Sequence, residues 1–189
     1  IHNDLHCNNV MYQKTNKTFF YYQIKNTYFR VPTTGIVLKI IDFGRSTYYL
    51  NDRFFISDDF AQGNDADGQY NCPPYYNPNK KEIFPNRSFD LCRFSTSIFD
   101  LLYPNENSHD KDCPLYQLLT SWLIDVNGNN ILFDDNRKDG DDFDIYEVIA
   151  ETANNAIPKH QFSANLFRQF IVPKNTIPED AKIYKLYTN

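Results

Sequence analysis

Ile1-His2-Asn3-Asp4-Leu5-His6-Cys7-Asn8-Asn9-Val10 opens the chain, and its reading decides the fold expected of everything that follows. Asp4 stands four residues ahead of the pair Asn8-Asn9, between apolar residues able to seat a turn rigidly on a core. A second stretch, Lys39-Ile40-Ile41-Asp42-Phe43-Gly44, is an apolar run that ends in an acid and a glycine. One carboxylate can orient and deprotonate a hydroxyl, while an amide oxygen and a second carboxylate offer hard oxygen ligands to Mg²⁺. Transfer of a phosphoryl group to a hydroxyl draws on that set of groups.

In this order the two stretches resemble the catalytic loop H-R-D-L-x-x-x-N and the D-F-G motif of the eukaryotic-type protein kinases. His2, Asp4, Leu5 and Asn9 match the first motif, and Asp42, Phe43 and Gly44 match the second. The resemblance implies an α+β, protein-kinase-like fold, a mainly helical C-terminal (large) lobe over residues 1–189 with short β segments. It implies an inserted β-hairpin over 14–36 and an activation segment over 42–76. Asp4 is then the catalytic base, with His6 beside it in the catalytic loop. Asn9 and Asp42 become Mg²⁺ ligands, and Phe43 and Gly44 belong to the nucleotide-side motif. His2 and Phe43 link the two motifs by packing. ATP and Mg²⁺ are the implied cofactors, and a protein substrate the implied partner. Neither G-x-G-x-x-G nor a V-A-I-K lysine is found, so the N-terminal lobe is expected to be absent from this fragment, and the fragment alone to be inactive.

Asn3 replaces the usual Arg, which removes the cation that would pair with a phosphorylated activation loop. His6 stands where Ser/Thr kinases usually carry a phosphate-contacting Lys, and the interval from Asp4 to Asp42 is wider than in most kinases. The D-L-H-x-x-N form resembles the haspin-type kinases, and also the aminoglycoside and choline phosphotransferases. The Asn/Tyr/Lys-rich wording is similar to that of kinase-like proteins of giant DNA viruses. Cys72-Pro73-Pro74-Tyr75 occupies the A-P-E position without its Glu. Three functions therefore stand open: a Ser/Thr protein kinase, a small-molecule phosphotransferase and a catalytically inactive scaffold.

Composition is compatible with one well-buried domain. The 189 residues are 41% hydrophobic and 16% aromatic. A net charge of −5 without Lys/Arg clusters argues against a nucleic-acid surface. No apolar run approaches membrane-spanning length and no signal peptide is apparent. The four cysteines are scattered without a C-x-x-C pair, which suits reduced thiols and an intracellular compartment.

Between the motifs, the β-branched and aromatic runs 18–24 and 27–31 predict a hairpin turning at Lys25-Asn26. Pro32 to Gly35 should turn the chain into a buried strand, 36–41, that delivers Asp42. The acidic clusters at 58–59 and 64–68 read as loop; Asn64 to Gly68 fails the calcium-loop pattern, as does the run from Asp135 to Gly140. Residues 88–102 carry an apolar stripe at 91, 94, 98, 101 and 102, a helix with Ser88 as candidate N-cap. That helix resembles the kinase D-x-W-S-x-G helix, which makes Asp90 the structural support of the catalytic-loop backbone. Further helices are expected through Leu115–Leu123, begun by Pro114, and through Ile145–Ala153, begun by Asp141-Asp142. Ser163 is a candidate cap for a short last helix, and Pro173 and Pro178 suggest a loose tail.

Overall fold

The computed structural model describes residues 1–103, 111–133 and 144–187. The run 135–140 and the expected helix start at Asp141-Asp142 lie outside the described residues. The architecture is mixed, compatible with α+β: a group of packed helices and several small separate sheets. Among the described residues, strands carry about as much of the chain as α-helices, more β structure than a mainly helical lobe would have.

A 3-10 turn at Cys7–Asn9 leads into β1 (Val10–Lys14). The aromatic and β-branched runs then form β2 (Phe19–Ile24) and β3 (Thr27–Pro32), antiparallel across a turn in which Lys25 takes φ 53°. Opposed pairs Phe20–Val31 and Tyr22–Phe29 put large side chains on one face. A turn through Thr34 and Gly35, both at positive φ, returns the chain into β4 (Ile36–Ile40). There β4 pairs with β1 alone, in the register Val10↔Ile40 to Lys14↔Ile36. The expectation of a buried strand here is corrected: Ile36, Leu38 and Ile40 are exposed. An apolar run is buried only when a further layer covers it, and these side chains stay open to solvent while Val37 alone of the strand is half-buried.

A small hairpin follows, β5 (Tyr48–Leu50) with β6 (Arg53–Phe55), where Tyr48 stacks on Phe55 at 5.0 Å. Residues 57–86 run as turns, yet they are anchored. Asn71 is buried, and its amide nitrogen donates to the carbonyls of Asn77, Lys80 and Lys81 while its oxygen accepts from the Asn77 N–H.

The main core lies between α1 (Phe89–Leu102), α2 (Pro114–Trp122) and α3 (Ile145–Thr152). Phe89, Cys92 and Phe99 from α1 meet Leu118, Leu119 and Trp122 from α2 and Ile149 from α3, all buried together with Phe60 and Tyr70 of the preceding segment. At α1 the start differs from expectation. Ser88 sits at the N-cap without capping: its backbone is already helical (φ −84°, ψ −9°) where a cap is extended, and its hydroxyl is turned to the Asn154 carbonyl, to which it donates at 2.8 Å. Its backbone N–H is taken by Asn86 Oδ1 at 2.9 Å. Asp144 caps α3, accepting from the backbone N–H groups of Tyr146 and Glu147.

A 3-10 stretch, Pro158–Ser163, precedes α4 (Asn165–Arg168). Ser163 therefore ends one turn rather than capping the next, and α4 is a single turn. The tail is not loose. It supplies β7 (Ile171–Val172), antiparallel to β3, and β8 (Ile183–Leu186), parallel to β2, completing a four-stranded sheet of order β7-β3-β2-β8. Phe162, Phe167 and Phe170 face Tyr22, Phe29 and Leu186 of this sheet around an apolar hollow of about 250 Å³.

No described helix is long and apolar enough to cross a membrane.

Candidate functional site

The opening loop is built around one acid from α1. Asp90 accepts the His2 backbone N–H at 2.8 and 3.1 Å on its two oxygens and the Asn3 N–H at 2.9 Å. Both donors belong to buried residues, so a charged acceptor satisfies amides that water cannot reach. Asn3 adopts φ 66°, in the left-handed region that asparagine tolerates better than most residues.

Asn3 is wholly buried and fully used. Its amide nitrogen donates to the Arg45 carbonyl at 2.7 Å and faces Thr47 Oγ1 at 3.1 Å. Its side-chain oxygen accepts from the Tyr70 hydroxyl at 2.6 Å, and its carbonyl from Gln69 Nε2 at 3.2 Å. Asn3 thereby ties the opening loop to residues 45–70 through hydrogen bonds between neutral groups. Burial pushes the Tyr70 phenol well above its ordinary value, and the Asp90 charge pushes it further in the same direction.

His2 spans the two motifs. Its Nε2 reaches the Ile41 carbonyl at 2.8 Å, while the Asp4 N–H reaches its Nδ1 at 3.3 Å. A carbonyl can only accept and a backbone N–H can only donate, so the ring is the neutral tautomer protonated on Nε2. The ring also packs on Phe43 at 5.0 Å, although Phe43 itself remains largely exposed.

Asp4 and Asn9 meet at the centre. Asn9 Nδ2 donates to the Asp4 carbonyl at 2.8 Å and lies 3.2 Å from Asp4 Oδ2. That contact to two acceptors sets the orientation of the amide and turns its oxygen away, and among the described residues no hydrogen bond occupies Asn9 Oδ1. His6 caps the 3-10 turn by accepting the Asn8 N–H on Nδ1 at 3.2 Å, which leaves its proton on Nε2, 3.6 Å from Asp4 Oδ1. The 3.3 Å approach of His6 Nε2 to Asn9 Nδ2 is then a contact of two donors, not a bond.

Asp42 is reached through the ribbon. The Ile41 N–H donates to the Asn9 carbonyl at 3.0 Å, so the strand end bearing Asp42 runs beside Asn9. Asp42 is exposed at φ 63°, and a Cβ placed on Gly44 would come within 3.5 Å of its Oδ1. Asp4, His6, Asn9, His2, Asp42, Phe43 and Asp90 thus lie in one neighbourhood, with Gly44 at its edge. Among the described residues no three His, Cys, Asp or Glu side chains converge. Asp42 and Asn9 carry hard oxygen atoms on segments joined by the Ile41–Asn9 backbone bond, the donor type that Mg²⁺ takes, and Mg²⁺ keeps several waters and needs few protein ligands.

Sequence reasoning did not find Tyr146. From α3, its hydroxyl donates to Asp4 Oδ1 at 2.7 Å, across 142 residues of sequence. Arg93 Nη2 donates to the same hydroxyl at 3.1 Å, and its guanidinium lies 4.8 Å from the ring centroid. Tyr146 stands off the apolar stripe of α3, and no local spacing relates it to Asp4.

No protein-family model, curated protein or solved structure matches this chain.

Proposed function

We propose that this chain carries the acceptor and metal side of an ATP- and Mg²⁺-dependent phosphotransferase with a protein-kinase-like fold, acting on Ser/Thr hydroxyls of a protein substrate. The observation that supports this reading best is the Asp4–Asn9 pair. One amide fixes the carboxylate through its nitrogen and leaves its oxygen unoccupied beside the strand that bears Asp42. Asp4 accepts the proton of the incoming hydroxyl and orients its oxygen toward the phosphoryl group. His6, with its proton on Nε2, stands close enough to assist at Asp4 or to meet a phosphate oxygen. Asp42 and Asn9 Oδ1 would hold the cation, which would neutralise charge on the phosphates. Asp90 and His2 keep the loop and the second motif in register.

Phosphate transfer from radiolabelled ATP tests this on the full-length protein, with a basic protein and a small aminoalcohol as alternative acceptors. Asp4→Asn should keep nucleotide binding and lower kcat by about 10²–10⁴-fold, the usual worth of a general base. Asp42→Asn should weaken Mg²⁺–ATP binding as well, and Asn9→Ala should do so more mildly, since a neutral amide holds the cation less strongly. Transfer to the aminoalcohol alone would overturn the protein acceptor. Unchanged activity in Asp4→Asn would overturn the assignment of the base.

A further inference from the structure

We propose that Tyr146 is the positioning residue of Asp4, a fixed donor that sets the orientation of the carboxylate. The inference rests on the phosphotransferase reading for its consequence in turnover, but not for the pairing itself.

The direction of the hydrogen bond follows from what surrounds the hydroxyl. Arg93 has no acceptor to offer, so its Nη2 must donate to the Tyr146 oxygen. The phenol proton is left for Asp4 Oδ1, 2.7 Å away. Arg93 is itself held, with Nη1 on Thr96 Oγ1 at 3.0 Å and the guanidinium over the Tyr146 ring. On its other neighbours the ring meets Phe89, 6.1 Å between centroids. The side chain is thus gripped by α1 while its backbone sits in the first turn of α3, which Asp144 caps.

With Oδ1 on Tyr146 and Oδ2 beside Asn9, the two oxygens of Asp4 are tethered from separate parts of the chain. Rotation of the carboxylate would break both contacts. Each oxygen has two acceptor directions, so a tethered oxygen can still take a substrate hydroxyl. Asn3 brings no charge to Asp4, whereas Arg93 brings a guanidinium to within one hydroxyl of it. The groups facing Tyr146 are Asp4 and Arg93, with His6 beyond Asp4. Burial raises the phenol above its ordinary 10.0 and the bond to Asp4 raises it further, while Arg93 pulls the other way. A raised phenol stays protonated and able to donate throughout the neutral range.

Two measurements test this. In the full-length enzyme, Tyr146→Phe should lower kcat about tenfold, the worth of one well-placed hydrogen bond, and change the KM for ATP less than about twofold. A structural role alone would move stability or both constants together. Equal kcat in parent and Tyr146→Phe overturns the proposal, as does phosphate found on Tyr146, which would make it an acceptor. The second measurement needs no turnover and keeps Tyr146 intact. The ring carbon bearing the hydroxyl is followed by ¹³C NMR against pH in the parent and in Asp4→Asn. Loss of the carboxylate should lower the pH at which Tyr146 ionises; an unchanged midpoint overturns the pairing even if the enzyme is active. A shifted midpoint in a protein that transfers no phosphate upholds the pairing and sinks the phosphotransferase reading instead.

Discussion

Asp90 is the residue whose removal should be felt most sharply at the opening loop. Asp90→Ala would strand two backbone N–H groups, those of His2 and Asn3, at positions 6% and 0% exposed. Each stranded buried donor costs about 1–3 kcal/mol, so the pair should cost about 2–6 kcal/mol. Relaxation of Asn3 from φ 66° recovers part of this and places the expected loss near the middle, about 4 kcal/mol. Asp90→Asn retains one acceptor oxygen and exchanges a charged acceptor for a neutral one, for about 1–2 kcal/mol. Urea unfolding of parent and both variants gives these differences, and amide hydrogen exchange at His2 and Asn3 localises them. A loss under about 1 kcal/mol for Asp90→Ala, or parental exchange rates at both amides, would refute the reasoning.

Asn3 joins the opening loop to Thr47 and Tyr70 through a neutral side chain, so position 3 itself offers no guanidinium for a phosphorylated segment to recruit. Activity of the full-length protein should survive complete phosphatase treatment, and a loss of about tenfold or more, roughly 1.4 kcal/mol, would count against it. Cys92 gives a pH signature, because burial pushes its thiol from the ordinary 9.0 up to about 12. The folded state keeps that proton longer than the unfolded chain does. Its contribution is whole below the ordinary value and falls as pH rises from 9.0 to about 12, by up to about 1.4 kcal/mol per pH unit. Urea midpoints between about pH 8 and 10.5 should drop less steeply in Cys92→Ala than in the parent, and parallel curves would refute this.

Local patterns were legible in the sequence, and covering layers were not. The stripe through α2 stands out because Leu118, Leu119 and Trp122 recur at helical spacing and are buried together, yet Leu115, which extends the stripe backward, is 37% exposed. The first turn of α2 projects past the core, and periodicity alone does not mark where the core ends. The run 36–41 has the composition of a buried strand; a strand forms over Ile36–Ile40 but stays exposed, since an apolar run looks the same whether or not a layer lies over it. Ser88 has the composition of a cap, but its backbone is helical and its hydroxyl is turned to the Asn154 carbonyl, 66 residues away. At the site, Asp4 and Asn9 were visible because five residues and one turn bring them together. Asn3 was read as a missing charge, whereas its role as a buried hub depends on partners at 45, 47 and 70. Tyr146 had no signal at all, being placed by the packing of α3 on α1.

The pairing of β8 with β2 and of β7 with β3 has a consequence for the order of assembly. β2 and β3 form a hairpin rich in tyrosine and phenylalanine, and the strands that cover its outer edges follow it in the chain by more than a hundred residues, ending at Val172 and Leu186. During synthesis both edges therefore stay open until nearly the whole described chain has been made, and an open apolar edge is a template for pairing with other chains. Closing it requires contacts across about 160 residues, which makes sheet completion a late and slow event. Lys17 and Arg30, each set over a neighbouring phenylalanine of the hairpin, place charge where such an edge would otherwise be bare during that interval.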